Sequence, residues 1–291
     1  MSPQHYDRAA QDTGNIIGIG HVNTCISDQH LATHYYVTGL GLTRDPFLNT
    51  GARNMWINVG MSQFHLPMGN PDVLRGVTGL VVPDRAALLD RLAQVRKPLA
   101  DTKFEFRESN DCVETVCPWG NRIHVHTPDA ARFGRIVLGM PYIRFDVRRG
   151  TAARIARFYH EVLRAPSDVI ENGGGPEARV TVGEKQYLYF RETDAQEQPY
   201  DRHHVQIYIA DFSGPYRQLQ QLGLITMESN AYEYRFNDVV DLDTREVLFT
   251  VEHETRSQTN PMYGRPLINR NPAQTNTDYK PGHDGMSWAM S

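Results

Sequence analysis

The chain has 291 residues, 40% hydrophobic and 22% charged, so it can build a packed core and disorder is not the default. A formal net charge of -4 leaves no electrostatic footprint for nucleic acid or an anionic membrane. Apolar runs such as residues 136–140 fall far short of the roughly 20 residues of a membrane span. The polar first 15 residues lack an apolar signal core, and Cys25, Cys112 and Cys117 form no C-x-x-C pair, which reads as a reduced cytoplasmic protein.

Residues 16–26 alternate and carry β-branched side chains, the pattern of a strand. Residues 28–37 follow as a helix, with Ser27 or Asp28 as N-cap and Gly39 and Gly41 as the stop. Two short strands, 55–59 and 62–66, flank Gly60, and a further strand begins near residue 74. Leu88, Leu89, Leu92 and Val95 have a helical period over 84–95, which Pro98 ends. Strands are expected at 104–107, 112–116 and 122–126, with a tight turn at Pro118-Trp119-Gly120-Asn121. A strand, a helix and a run of further strands thus occur twice before residue 128, read as β-α-β-β-β each time.

After a linker-like stretch at 129–140 the pattern restarts. Strand 142–147 and helix 151–163 precede strands 178–182 and 186–190, and strand 205–209 and helix 215–222 precede strands 234–240 and 247–252. The first and third units match closely: each is an alternating strand, a helix closing on an aromatic pair (Tyr35-Tyr36, Phe158-Tyr159), and a Leu-rich turn. Gly173–Gly175 form a loop, not a phosphate cradle, because no helix start of the required type follows. Residues 255–291 have no periodic segment. Their prolines and their Tyr and Arg residues, among them Tyr263, Arg265, Arg270 and Tyr279, suit an extended arm docked across the domain junction or onto a second subunit of a homo-oligomer.

Strand periodicity groups the polar residues. Residues two apart share a face, so His21, Asn23 and Cys25 point one way, as do Gln63 with His65, and His124 with His126. Buried polar groups need partners. Histidines converging from several strands would find one in a divalent metal.

Four β-α-β-β-β modules over residues 15–254 resemble the vicinal oxygen chelate superfamily, which includes glyoxalase I, extradiol dioxygenases and bleomycin-binding proteins. The pieces that carry the resemblance are Gly20-His21-Val22, the run from Asp28 through Tyr35-Tyr36 to Gly39-Leu40-Gly41-Leu42, and Pro118-Trp119-Gly120-Asn121-Arg122-Ile123-His124, with His124 where the family usually has Glu. The resemblance implies an α+β fold of four modules paired into two domains, at 15–128 and 141–254, with a linker at 129–140 and a tail at 255–291.

Carried over by position, the resemblance implies metal ligands at His21, His65 and His124. Thr78 or Val77 stands where many members have a further His. Asn23, Gln63, Thr78 and His126 would contact substrate or support the ligands. The equivalent positions in the second half hold Arg144, Tyr189 or Tyr187, His204 and Phe249, so that half reads as degenerate. Metal content is therefore expected to be independent of His204. An alternative second-half site would use Asp146, His204 and Glu252. The implied cofactor is a divalent ion, Fe(II), Zn, Ni, Co or Mn, and the partner a small oxygen-chelating substrate. With no Glu matching a proton-transfer position, dioxygenase-like oxidation is favoured over isomerase or lyase chemistry. The missing extradiol fingerprint at 241–252 argues against plain catechol cleavage. The rival reading is a metal-free binding protein of the bleomycin-resistance type.

Overall fold

The computed structural model describes residues 6–48, 53–195 and 198–269. All four modules are present. The first has β1 (Ile16–Asn23), α1 (Gln29–Ala32), β2 (Thr43–Arg44), β3 (Asn54–Val59) and β4 (Ser62–Pro67). The second has β5 (Gly76–Val81), α2 (Arg85–Gln94), β6 (Glu105–Glu108), β7 (Val113–Val116) and β8 (Arg122–His126). A short helix, α3 (Ala130–Phe133), lies in the expected linker. The third module has β9 (Gly139–Arg148), α4 (Ala152–Val162), β10 (Ser167–Asn172), β11 (Gly175–Gly183) and β12 (Gln186–Thr193). The fourth has β13 (His204–Ile209), α5 (Ser213–Gln221), β14 (Ile225–Asn230), β15 (Glu233–Val240) and β16 (Val247–Ser257).

Local chemistry accounts for these elements. Asp28 caps α1 by accepting from the backbone N–H groups of His30 and Leu31, and Asp84 caps α2 by accepting from Ala87 N–H. After α1 the chain widens into a π-helix, Thr33–Gly39, which buries Tyr35 and Tyr36. Phe158 and Tyr159 are buried in the same way on α4. At the turn before β8, Asn121 Oδ1 accepts from Leu74 N–H and its Nδ2 donates to the Asp72 carbonyl, pinning the crossing between the first two modules.

The strands form two eight-stranded sheets. The first runs β14-β15-β16-β13-β1-β4-β3-β2 and the second β10-β11-β12-β9-β5-β8-β7-β6. The first sheet therefore joins the first and fourth modules and the second joins the second and third. This corrects the expected pairing of consecutive modules: neither 15–128 nor 141–254 contains a whole sheet. Each module leaves its first strand as an open edge that must be paired. The short α3 connection delivers β9 antiparallel beside β5, with Gly79 opposite Tyr142 and Val77 opposite Arg144. That leaves β1 to be closed by β13, with Asn23 opposite His204 and His21 opposite Gln206.

The described part of the tail docks within its own chain. From the fourth module it crosses to the first, where Asn58 Nδ2 donates to Ile268 O (2.8 Å) and Asn269 Nδ2 to Gly60 O (2.9 Å). Arg265 Nη2 donates to Asp45 Oδ2 at 2.5 Å, and Tyr263 packs on Tyr208. Arg270 and Tyr279 lie outside the described residues.

Candidate metal centre

At the seam of the first sheet, alternation on β1, β4, β13 and β16 brings side chains together on one face. His21, His65 and His204 offer ligand atoms all within 4.8 Å of one another. His21 Nε2 and His204 Nε2 are 3.3 Å apart. Glu254 joins them, its Oε2 lying 3.4 Å from His204 Nε2 and 3.9 Å from His21 Nε2. The register explains the convergence. His65 pairs with Asn23, two residues beyond His21, and Glu254 pairs with Gln206, two beyond His204. The two modules thus contribute equivalent pairs, His21 with His65 and His204 with Glu254.

The surroundings hold these side chains in place. Trp56 stacks on His65 with ring centroids 3.9 Å apart and meets His21 edge-on at 5.0 Å. The Asn23 amide lies 2.7 Å from His65 Nδ1. His65 Nε2 is buried with no hydrogen-bond partner among the described residues, as are both amide atoms of Gln206. A Cβ at position 20 would meet Gln206 Oε1 at 1.5 Å, so the glycine of Gly20-His21 is required by close approach. Arg235 Nη2 donates to Glu254 at 2.7 Å, and Arg256 Nη2 lies 2.5 Å from its other oxygen.

Protonation suits a metal. Burial pushes His21 well below the usual histidine range, and burial with the adjacent His204 takes His65 down to about 3. Burial alone would raise Glu254. His21, the hydrogen bond from His204 and the guanidiniums of Arg256 and Arg235 outweigh it and hold the carboxyl well below its usual range. Near neutral pH His21 and His65 are therefore neutral imidazoles and Glu254 a carboxylate, the forms that ligate. Three nitrogens and one oxygen fit a borderline divalent ion. The buried, unpartnered Nε2 of His65 is the kind of atom such an ion would satisfy.

The other expected residues distribute as follows. Asn23 lies at the cluster. Gln63 turns to Asp45 and Asn58, donating to each. His124, Thr78 and His126 lie on the second sheet, so His124 is not a partner of His21 and His65. His126 Nε2 is 2.9 Å from Tyr142 Oη. Asp146 is bound by Arg122 and Arg191, also on the second sheet, so it does not join His204 and Glu252. Glu252 does approach His204, at 3.3 Å. His204, expected to be dispensable, is central, and Glu254, not Phe249, holds the last-strand position. Sequence reading missed Glu254 because it ended the strand at 252. β16 continues to Ser257, and alternation from Glu252 then points to Glu254. Trp56, Arg235 and Arg256 carried no sequence signal.

No family model and no curated protein matches the sequence. Solved structures do. Glyoxalase I from Zea mays is similar at 12% identity, over 83% of this chain and 92% of that one, with a TM-score of 0.55, and a mutant of it reaches 0.58. A provisionally named dioxygenase of Bacillus subtilis is 13% identical over 85% and 87% of the two chains, with a TM-score of 0.56. The cppA protein of Streptococcus pneumoniae is 10% identical over 84% and 99%, with a TM-score of 0.50. The chain has the fold of the vicinal oxygen chelate superfamily. It is a four-module chain whose histidine cluster lies between its first and last modules.

Proposed function

We propose that the protein is an enzyme that holds a divalent metal at His21, His65, His204 and Glu254 and acts on a small substrate bearing neighbouring oxygens. The observation that carries this reading is the meeting of three imidazoles and a carboxylate from four strands in one cluster. A bound ion would supply Lewis-acid activation of the substrate oxygens, or oxygen chemistry if it is Fe(II). Trp56 keeps the His65 ring in a fixed plane and excludes water from one side. Asn23 Nδ2 lies against His65 Nδ1; for Nε2 to ligate, Nδ1 must carry the proton and the Asn23 amide must turn to present its oxygen.

Oxidation is favoured over proton abstraction. A carboxylate that serves as general base must be available and have a pKa near the working pH. Glu254 is held far below that by His21, the hydrogen bond from His204 and the guanidiniums of Arg256 and Arg235, and Glu252 is tied to Arg235 Nη1 at 2.6 Å. A second reading, a metal-free binding protein, is favoured by the same arginines, since they already balance the Glu254 charge.

The test uses full-length protein purified without a histidine tag and reconstituted anaerobically with Fe(II), Mn, Co, Ni or Zn. About one tightly held ion per chain and oxygen uptake with vicinal-oxygen probes such as catechol or phenylpyruvate support the proposal. Failure to retain any of these ions favours the metal-free reading. Bound metal with substrate proton exchange but no oxygen uptake would replace oxidation by isomerisation.

A further inference from the structure

The second sheet forms a concavity, with a cavity of about 560 Å³. Its register parallels that of the first sheet. His124 pairs with Gly79, and Gly79 with Tyr142, as His65 pairs with Asn23, and Asn23 with His204. Tyr187 and Tyr189 on β12 then stand where Glu252 and Glu254 stand on β16. The positions of His65, His204, Glu252 and Glu254 thus carry one histidine and three tyrosines, and Val77 stands at the position of His21. Around His124, the positions that hold ligand atoms in the first sheet here hold rings.

The cavity wall is aromatic. Tyr142 and Tyr189 meet edge-to-face at 5.8 Å, and Tyr189 and Tyr187 lie 5.7 Å apart. The Arg144 guanidinium covers both Tyr142 and Tyr189, at 5.4 and 5.1 Å. Gly79 makes room for this wall, since a Cβ there would meet the Tyr142 ring at 2.3 Å. Burial pushes Tyr189 up to about 12, so its hydroxyl is a neutral donor.

The lining charges separate into satisfied and unsatisfied ones. Asp111 is held by Arg132, Glu114 by Arg107, and Arg179 by Asp168. Arg144 gives Nε and Nη2 to Glu177, and its Nη1 has no hydrogen bond among the described residues. Lys185 has no ion pair among the described residues. Its stem is laid across Gly134, where a Cβ would meet Lys185 Cγ at 2.8 Å. The cation at the cavity without an ion pair among the described residues is therefore Lys185, with Arg144 Nη1 left over from the Glu177 pair, beside the hydroxyls of Tyr187 and Tyr189, for which no acceptor is found among the described residues.

We propose that this concavity is a separate binding site for a small aromatic carboxylate, its ring against Tyr187 and Tyr189 and its carboxylate toward Lys185 and Arg144. Ring stacking and an adjacent cation are the two recognition elements the wall offers, and a cavity of this size falls within the range of small-molecule sites.

The test titrates the full chain, stripped of metal with EDTA, by calorimetry, so that it is independent of the proposed metal centre. The probes are benzoate, cyclohexanecarboxylate, phenol and inorganic phosphate. Benzoate is expected to bind once per chain, at least about tenfold more tightly than the other three. Lys185→Gln and Tyr187→Leu, both away from the core, are each expected to weaken it about tenfold while the far-UV spectrum is unchanged. Benzoate binding that is absent at about 10 mM, matched by cyclohexanecarboxylate or phosphate, or unaffected in both variants would overturn the proposal. Binding lost in Trp56→Leu but retained in the other two variants would overturn it as well, by moving the site to the first sheet.

Discussion

At the scale of single residues, His204 and Glu254 separate what spacing predicts from what the seam assembles. Glu254→Gln keeps the shape of the side chain but removes a ligand charge and leaves two guanidiniums facing a neutral amide. Metal affinity, measured by competition with a chelator, is expected to fall more than about 100-fold. His204→Ala is expected to fall as far, whereas His124→Ala leaves affinity unchanged. The reverse order would move the centre to the second sheet. A different histidine contributes to acid stability, as do His65 and His253, which burial also holds low. His126 is 3% exposed, and burial, with Arg132 nearby, takes it down to about 4. Its folded value lies below the unfolded one, so the unfolded chain binds more protons once the pH drops under about 6.5. The stability it contributes is therefore complete above that pH and is lost as the pH falls toward 4. Between pH 7.5 and 5 the loss is on the order of 1–2 kcal/mol. Urea midpoints at the two pH values check this, and the difference should shrink in His126→Gln.

At the scale of elements, the tail arm was expected to dock, and its described part does so, near the metal centre. Asp45 is buried, accepts from Arg265, and also accepts from Gln63 on β4. Arg265→Ala would leave that carboxylate without its cation, at a cost of about 2–4 kcal/mol. A drop in melting temperature together with new proteolytic cleavage between residues 258 and 269 is the expected signature. An unchanged melting temperature and cleavage pattern would mean that the arm contributes nothing. Arg265→Lys, which retains charge but not the fork, should recover only part of the loss.

At the scale of the whole molecule, the exchange of partners between modules means that the two halves are not independent. Residues 15–128 expressed alone would expose the β1 edge that β13 covers and the β5 edge that β9 covers. Open edges of this kind associate or fail to fold. The fragment is expected to aggregate or lack cooperative unfolding, and to bind no metal. Mixing it with residues 129–291 during refolding is expected to restore both properties, by circular dichroism and metal analysis. A fragment that folds and binds metal alone would show that the sheets do not need each other.

Much of this molecule was legible from local chemistry. The four modules, the caps at Asp28 and Asp84, the buried aromatic pairs and the inward faces of His21 with Asn23 and of Gln63 with His65 follow from periods of 2 and 3.6 residues within one segment. The choice of partner for each module was not legible, because all four present the same kind of open strand edge and nothing periodic labels which edge closes which. That choice rests on the short α3 connection and on side-chain fit along the seams, such as Gln206 lying over Gly20 and Tyr142 over Gly79. The tertiary structure alone therefore decided that His204 and Glu254 complete the cluster begun by His21 and His65, and that His124 faces a cavity among tyrosines.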